Sequence, residues 1–291
     1  CVMTAIINLE QGSADWLAHR QKYRNASETP AVMGESPWIT PYQLWELRTG
    51  RREQEVNYAM RRGSELEPAA RAAYEALTGH VMQPMVMVDG DYSASLDGIT
   101  FDRSLIVEFK CPVRGAGSTL WEQVSQGEAP EHYRLQVQHQ LMVSGAEQAE
   151  LFVYDEDLGK GIAIPIHADP ESHEAIRAAW DRFMPHIEAD TPPELTERDR
   201  LVRDDPAWLA AAKTFAQRKS ALDAAKSAAD EARAVLLELA DHPSVTGGGV
   251  TVTRFVRKGS VDYRKAVADS GIDTEPYRKP GGVDVRITVA S

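Results

Sequence analysis

Apolar positions recur at helical spacing through most of the chain and give way to solid runs or strict alternation in a few places. Leu105-Ile106-Val107 is a short, mostly β-branched run of the kind buried on both faces of a sheet, and it continues directly into Glu108-Phe109-Lys110. Side chains alternate along a strand, so Glu108 and Lys110 point to one side and Phe109 to the other. Upstream, Asp97-Gly98 and the turn-like Asp102-Arg103-Ser104 predict a hairpin that sets Asp97 beside Glu108. Two carboxylates and an ammonium then share one edge.

Helical periodicity dominates on either side of this hairpin. Ser13 is placed to cap a helix of about 11 residues whose stripe is Trp16, Leu17 and Tyr23, with Arg20 looking inward one turn after Trp16. Ser27 is expected to cap a second helix through Val32 and Met33. A helix from Pro41 (Tyr42, Leu44, Trp45, Leu47) ends at Gly50, and another carries Leu66, Ala70, Ala73, Tyr74 and Leu77 inward, Glu67 at the border of the stripe and Gly79 as its C-cap. After the hairpin, 119–126 reads as helix. In the next helix Tyr133, Gln136, Val137, Gln140 and Leu141 share one face, which puts two amides where apolar residues belong; His139 lies off that face and is expected at the surface. Strands follow at 149–154 and 161–167, then an amphipathic helix over 170–187 and a linker around Pro192-Pro193. An Ala-rich helix runs to about Ala240 with a shallow stripe, Gly247-Gly248-Gly249 reads as a hinge, 250–256 alternates as a strand, and a small basic module closes with a strand over 283–289.

This order of elements predicts an α/β chain of two domains: 1–190, and 191–291 as a helical and small α+β C-terminal extension. With 43% hydrophobic and 26% charged residues, the 291-residue chain has the make-up of a soluble globular protein. No apolar run spans a bilayer and no signal peptide is visible, so no membrane partner is expected. Cys1 and Cys111 are its two cysteines, too few for a disulfide framework or a four-cysteine iron–sulfur or zinc site, and they suit a reduced, cytoplasmic setting. The natural start is expected at Met3.

The net charge of −12 argues against coating nucleic acid by bulk attraction. It is unevenly spread. From Val250 onward eight Lys/Arg face five acids, a local +3 that leaves −15 for the rest, so the basic end is expected to meet DNA or a partner protein.

Asp97, Glu108 and Lys110 are a donor set for a hard divalent cation, since magnesium or manganese takes one or two carboxylates together with phosphate oxygens and water. The lysine would stabilise charge on a phosphate or hold an attacking water whose pKa the cation lowers. The same residues also suit a Glu–Lys pair on a solvated edge strand. Arg20 suits a structural ion pair as well as an anion site, and the two amides suit satisfied core positions as well as a phosphate or a water.

Taken together, the motifs of residues 9–155 resemble the viral recombinase exonucleases of the YqaJ and bacteriophage lambda exonuclease type, a branch of the restriction-endonuclease-like nucleases. The motifs are Gln11-Gly12-x-x-x-Trp16-x-x-x-Arg20, Ala26-Ser27-Glu28, Gly63-x-x-x-Glu67-x-x-x-Arg71-x-x-Tyr74, Thr78-Gly79, Ser95-x-Asp97-Gly98, Glu108-Phe109-Lys110-Cys111-Pro112 and Tyr133-x-x-Gln136-x-Gln138, in that order. The resemblance implies a restriction-endonuclease-like core, a central mixed β-sheet flanked by helices. It implies two magnesium ions, with manganese as substitute, held by Asp97, Glu108 and the Phe109 backbone carbonyl, with Glu67 completing the shell directly or through water. Lys110 would orient the water; Arg20, Ser27, Ser95 and Gln136 would hold a 5′-phosphate; Met60 would be an apolar wedge at the end base pair.

The family's activity is 5′-to-3′ degradation of one strand of duplex DNA by a homotrimeric ring, leaving a 3′ tail for a single-strand annealing protein in a bacterial host carrying the phage or prophage. Two other activities fit part of the pattern: a restriction-like endonuclease acting on internal sites, and a non-catalytic DNA clamp that loads an annealing protein.

Overall fold

The computed structural model describes residues 4–9, 12–53, 56–257 and 259–279. The expected start at Met3, Gln11 of the first motif and the expected strand over 283–289 lie outside the described residues. The chain divides into two units, Cys1–Arg200 and Leu201–Ser291.

The first unit is built on a seven-stranded sheet. In chain order its elements are β1 (Ala5–Ile7), α1 (Ala14–Lys22), β2 (Arg24–Asn25), α2 (Thr29–Val32), α3 (Pro41–Arg48), α4 (Tyr58–Thr78), β3 (Gln83–Asp89), β4 (Tyr92–Ile99), β5 (Leu105–Lys110), α5 (Thr119–Ser125), α6 (Glu131–Ser144), β6 (Gln148–Asp155), β7 (Lys160–His167) and α7 (Pro170–Glu188). Strand order is β1-β3-β4-β5-β6-β7, with the short β2 joined to β4. β5–β6 and β2–β4 run parallel and the other pairs antiparallel, which makes the sheet mixed as expected. The parallel pair needs a crossover, and α5 and α6 supply it.

The expected hairpin forms between β4 and β5. Asp102 Oδ1 accepts from Thr100 Oγ1, Ser104 N and Ser104 Oγ at 2.6, 3.1 and 2.8 Å, and Arg103 takes a left-handed φ of 61° at its tip. Strand alternation then sorts the faces. Ile106 joins Val137 and Leu141 of α6 on one side, while Val107 and Phe109 pack with Ala70 and Tyr74 of α4 on the other. On that second face the rings of Tyr74, Phe109 and Phe152 meet edge to face at 5.2–5.9 Å. Two glycines make room for them. A Cβ at Gly161 would lie 2.2 Å from the Phe152 ring, and one at Gly98 would lie 3.2 Å from the Phe109 ring.

Several expectations are corrected. Leu77, assigned to the inward stripe of α4, is 65% exposed. Ser27 caps no helix, because residues 26–28 form a 3-10 turn before α2. His139 is fully buried rather than a surface residue, because α6 is enclosed almost all round from Leu135 to Ser144 and has no solvent face there. Its Nδ1 lies 2.6 Å from Thr29 Oγ1, which also accepts from Trp180 Nε1 at 2.9 Å. Residues 191–200, placed beyond the expected domain boundary, belong to the first unit: Arg198 donates to the Ser36 carbonyl at 2.7 Å and Thr40 bonds Asp199.

The second unit contains α8 (Pro206–Leu239), β8 (Ser244–Gly247), β9 (Val250–Thr253) and α9 (Tyr263–Asp269). The three glycines expected as a hinge instead turn a hairpin, in which Gly247 pairs Val250 and the loop residues Gly248 and Gly249 have φ of 56° and 78°. Two positive φ values in a two-residue loop are the tight-turn geometry that glycine permits without strain.

Burial, helped by the charges of Arg177 and His173, pushes the His139 imidazole down to about 3. Because the folded pKa lies below the unfolded one, this neutral histidine contributes stability above about pH 6.5 that is lost as pH falls toward 3, reaching roughly 4–5 kcal/mol at the limit. Unfolding free energy measured by urea titration between pH 6.5 and 4.5 should fall less steeply in His139→Gln than in the unsubstituted protein, by about one proton's worth of slope. Equal slopes would show that His139 does not govern acid sensitivity.

Candidate functional site

The ladder between β4 and β5 is confined to Gly98↔Val107 and Ile99↔Ile106. Past that point Asp97 takes over from the backbone, with Oδ2 accepting from the Phe109 N–H at 3.1 Å. What aims Asp97 there is a bulge. Between the pairs Gln83↔Ile99 and Met85↔Leu96 the register shifts, so Asp97 and Gly98 stand opposite the single residue Pro84. Proline has no N–H for the ladder, and an extra residue in the facing strand re-aims its side chain.

Glu108 points to the α6 side with Ile106, is 3% exposed, and is held by three donors. Lys110 Nζ and Gln136 Nε2 donate to its Oε1, the latter at 2.6 Å, and Gln140 Nε2 donates to Oε2 at 2.6 Å. Gln136 and Gln140 are one helical turn apart, so both amides of the polar interruption in α6 converge on this carboxylate. Gln140 also donates to the Ser95 carbonyl at 3.4 Å. Gln138, part of the quoted motif, lies elsewhere: it donates to the His167 carbonyl at 2.7 Å and accepts from Asp169 N at 3.0 Å.

Glu67 reaches the same edge from α4. Its Oε1 pairs with Arg71 at 2.7 Å, and Arg71 Nε donates to the Asp97 carbonyl at 3.1 Å. Burial, and then the charge of Glu108, raise the Asp97 carboxyl well above the usual carboxylate range, with Glu67 adding to the effect against Lys110. Glu67 is raised by the same two causes in the same order, against Arg71 and Lys110. Burial alone would depress the Lys110 ammonium, but Glu108, Tyr133 and Asp97 hold it above its ordinary value. Half-buried Cys111, the next residue, has its thiol raised to about 11, chiefly by desolvation, so it is no ready nucleophile.

Among the described residues no three His, Cys, Asp or Glu side chains form a ready-made metal cage. Magnesium does not require one, because water and phosphate complete its octahedron. The hard oxygens of Asp97 and Glu108, with the half-buried Asp97 resisting ionisation beside a second carboxylate, are groups whose mutual repulsion a divalent cation would relieve. The residues fit such an ion.

Arg20 lies in a second cluster joined to this edge. Its guanidinium stacks 4.7 Å from the Trp16 ring and donates to Ser27 Oγ at 3.0 Å and Glu28 Oε1 at 3.1 Å. Trp16 Nε1 donates to Ser95 Oγ at 3.0 Å, and Ser95 leads through Gln140 to Glu108. Arg20, Ser27 and Ser95 thus gather as the sequence suggested. Gln136 is spent on Glu108 instead. Two members of the cluster escaped sequence reasoning: Glu28, which also pairs with Arg48 at 3.4 Å, and Arg48, whose guanidinium ties down the Arg20 and Tyr23 carbonyls at 2.8 and 2.6 Å. Ser27-Glu28 beside an inward arginine was the available signal for Glu28; Arg48 gave none. Met60 is exposed in the first turn of α4.

Residues 15–147 match the YqaJ-like viral recombinase domain family. Over that stretch the chain is similar to this family. It is 28% identical over 156 residues to an uncharacterized protein YqaJ of Bacillus subtilis (strain 168), a match covering 50% of this chain and 46% of that relative, so it spans about half the relative's length. Among solved structures it is similar to the alkaline exonuclease LHK-Exo of Laribacter hongkongensis, 27% identical with a TM-score of 0.53, covering 62% of this chain and 94% of that one. LHK-Exo has also been solved in complex with dAMP. The YqaJ-like domain accordingly has the α/β, restriction-endonuclease-like fold, with its mixed sheet flanked by helices.

If Gln140 exists to satisfy Glu108, Gln140→Leu should cost about 1–3 kcal/mol in urea unfolding, because a buried carboxylate oxygen loses its donor. In a Glu108→Gln background the same substitution should cost much less. Additive losses, with no coupling between the two positions, would remove Gln140 from the site.

Proposed function

We propose that the YqaJ-like domain is a magnesium-dependent exonuclease that degrades one strand of linear double-stranded DNA from a 5′-phosphorylated end, releasing mononucleotides and leaving a 3′ single-stranded tail. The observation that carries this reading is the union of two clusters: a carboxylate pair with a lysine at the end of β5, and an arginine–serine cradle joined to it through Trp16, Ser95 and Gln140. The dAMP complex of the similar alkaline exonuclease supports it, since a nucleoside monophosphate is what such a reaction releases.

In this reading Asp97, Glu108 and the Phe109 carbonyl hold the cation, with Glu67 completing the set. When bound, magnesium supplies charge neutralisation at the scissile phosphate and acidifies the attacking water. Lys110, fixed as an ammonium by Glu108, orients that water or meets charge developing on the phosphate oxygens. Gln136 and Gln140 hold the Glu108 carboxylate in place, so the geometry need not be assembled during reaction. Arg20 has five N–H donors, and those beyond the two serving Ser27 and Glu28 meet a terminal phosphate, helped by Ser27 and Ser95. Met60 lies seven residues before Glu67 on α4, about 10 Å along the axis, where an apolar side chain would meet the end base pair. A homotrimeric ring and a single-strand annealing protein as partner belong to the same proposal. Sedimentation should then give three times the 32.2 kDa chain mass.

End-labelled duplex should be digested by the unsubstituted protein with magnesium, while Asp97→Ala and Glu108→Ala release no nucleotide yet still shift the DNA in a binding gel. Arg20→Gln should abolish the preference for a 5′-phosphate over a 5′-hydroxyl, raising KM at least tenfold. Closed circular duplex cut as fast as linear duplex would overturn end recognition in favour of internal cleavage, and a fully active Lys110→Ala would remove the catalytic edge.

A further inference from the structure

An aromatic face beside Lys110 has no part in the chemistry above. Ser36 Oγ accepts from the Trp38 and Ile39 backbone N–H groups at 3.2 and 3.3 Å, and the Ser36 carbonyl is gripped by Arg198 at 2.7 Å, so the turn presenting Trp38 is tied on both sides. The Trp38 indole is nevertheless 64% exposed. It is not left to swing. Its ring meets His132 edge-on with centroids 4.9 Å apart and lies 5.9 Å from Tyr133, whose own ring is 4.2 Å from His132. Lys110 Nζ stands 5.0 Å from the Tyr133 centroid, so two ring contacts separate the exposed indole from the ammonium paired with Glu108.

We propose that Trp38, backed by His132 and Tyr133, is a stacking platform for one unpaired nucleobase of the strand being cut. The nature of the ligand rests on the nuclease reading. A protein-docking patch needs several hundred Å² of contiguous apolar surface, whereas one braced indole matches the face of one base. Stacking is indifferent to base identity, which suits an enzyme that must accept every nucleotide in turn. It also demands that the base has left its own stack, so the platform favours a frayed end over intact duplex.

The test uses a 5′-phosphorylated oligonucleotide with 2-aminopurine as its terminal base, a fluorophore quenched by stacking. In EDTA, where cleavage is withheld, the unsubstituted protein should quench it and Trp38→Ala should not. With magnesium, Trp38→Ala should raise KM about tenfold, within the span expected for losing one base–aromatic stack, while kcat changes less than twofold. Trp38→Phe should recover most of both. Quenching and KM unchanged in Trp38→Ala would overturn the platform while leaving the nuclease reading intact. So would an altered sedimentation mass with DNA parameters unmoved, which would make Trp38 a contact between protein chains. Quenching by a protein that releases no nucleotide would instead sink the nuclease reading and leave the platform standing.

Discussion

The Glu108 carboxylate is the constraint that the site depends on. It is buried at the end of β5, where an ionised carboxylate is costly, and the surrounding elements supply what offsets that cost: Lys110 from its own strand and two amides from α6. Each donor serves the charge only if its element is fixed. The parallel β5–β6 pairing fixes the strand, and burial of α6 on nearly all sides fixes the amides. The polar interruption in a buried helix and the charged end of a buried strand are therefore two halves of one feature.

Asp97 faces a different problem. Its carboxylate is desolvated, has a second carboxylate close by and a single backbone donor, and it resists ionisation for those reasons, desolvation first. An arrangement that satisfies Glu108 thoroughly and leaves Asp97 short of positive charge is asymmetric: one carboxylate is rigid, and the other carries the unrelieved charge that the proposed cation would meet. Local strain of this kind, stored where a charged ligand is to arrive, is common at functional sites.

Much of this was legible in the sequence because it rests on short-range rules. Alternation put Glu108 and Lys110 on one face, the Asp102-Arg103-Ser104 turn gave the hairpin, and helical spacing aligned Gln136 with Gln140. What escaped was tertiary. The bulge that aims Asp97 arises from Pro84 on β3, a strand whose methionines and proline hid its β character. Glu28 faces Arg20 only because residues 26–28 coil into a 3-10 turn. His139 departs from the amphipathic pattern because α6 is packed all round, and the face that carries glutamines and the face that carries histidine are both interior.

The two polar insertions in α6 then have different physical meanings although they are neighbours in sequence. Gln136 and Gln140 meet a charge, so their burial is offset by charge-assisted bonds and their loss would strand that charge. His139, between them in sequence, meets the neutral Thr29 hydroxyl, and its Nε2 has no hydrogen-bond partner among the described residues. A neutral imidazole can tolerate such a setting only while it stays unprotonated. Acid therefore threatens α6 at a residue that does not bond Glu108, and because the same helix holds Gln136 and Gln140 in place, loosening it would undo the site before the sheet itself gave way.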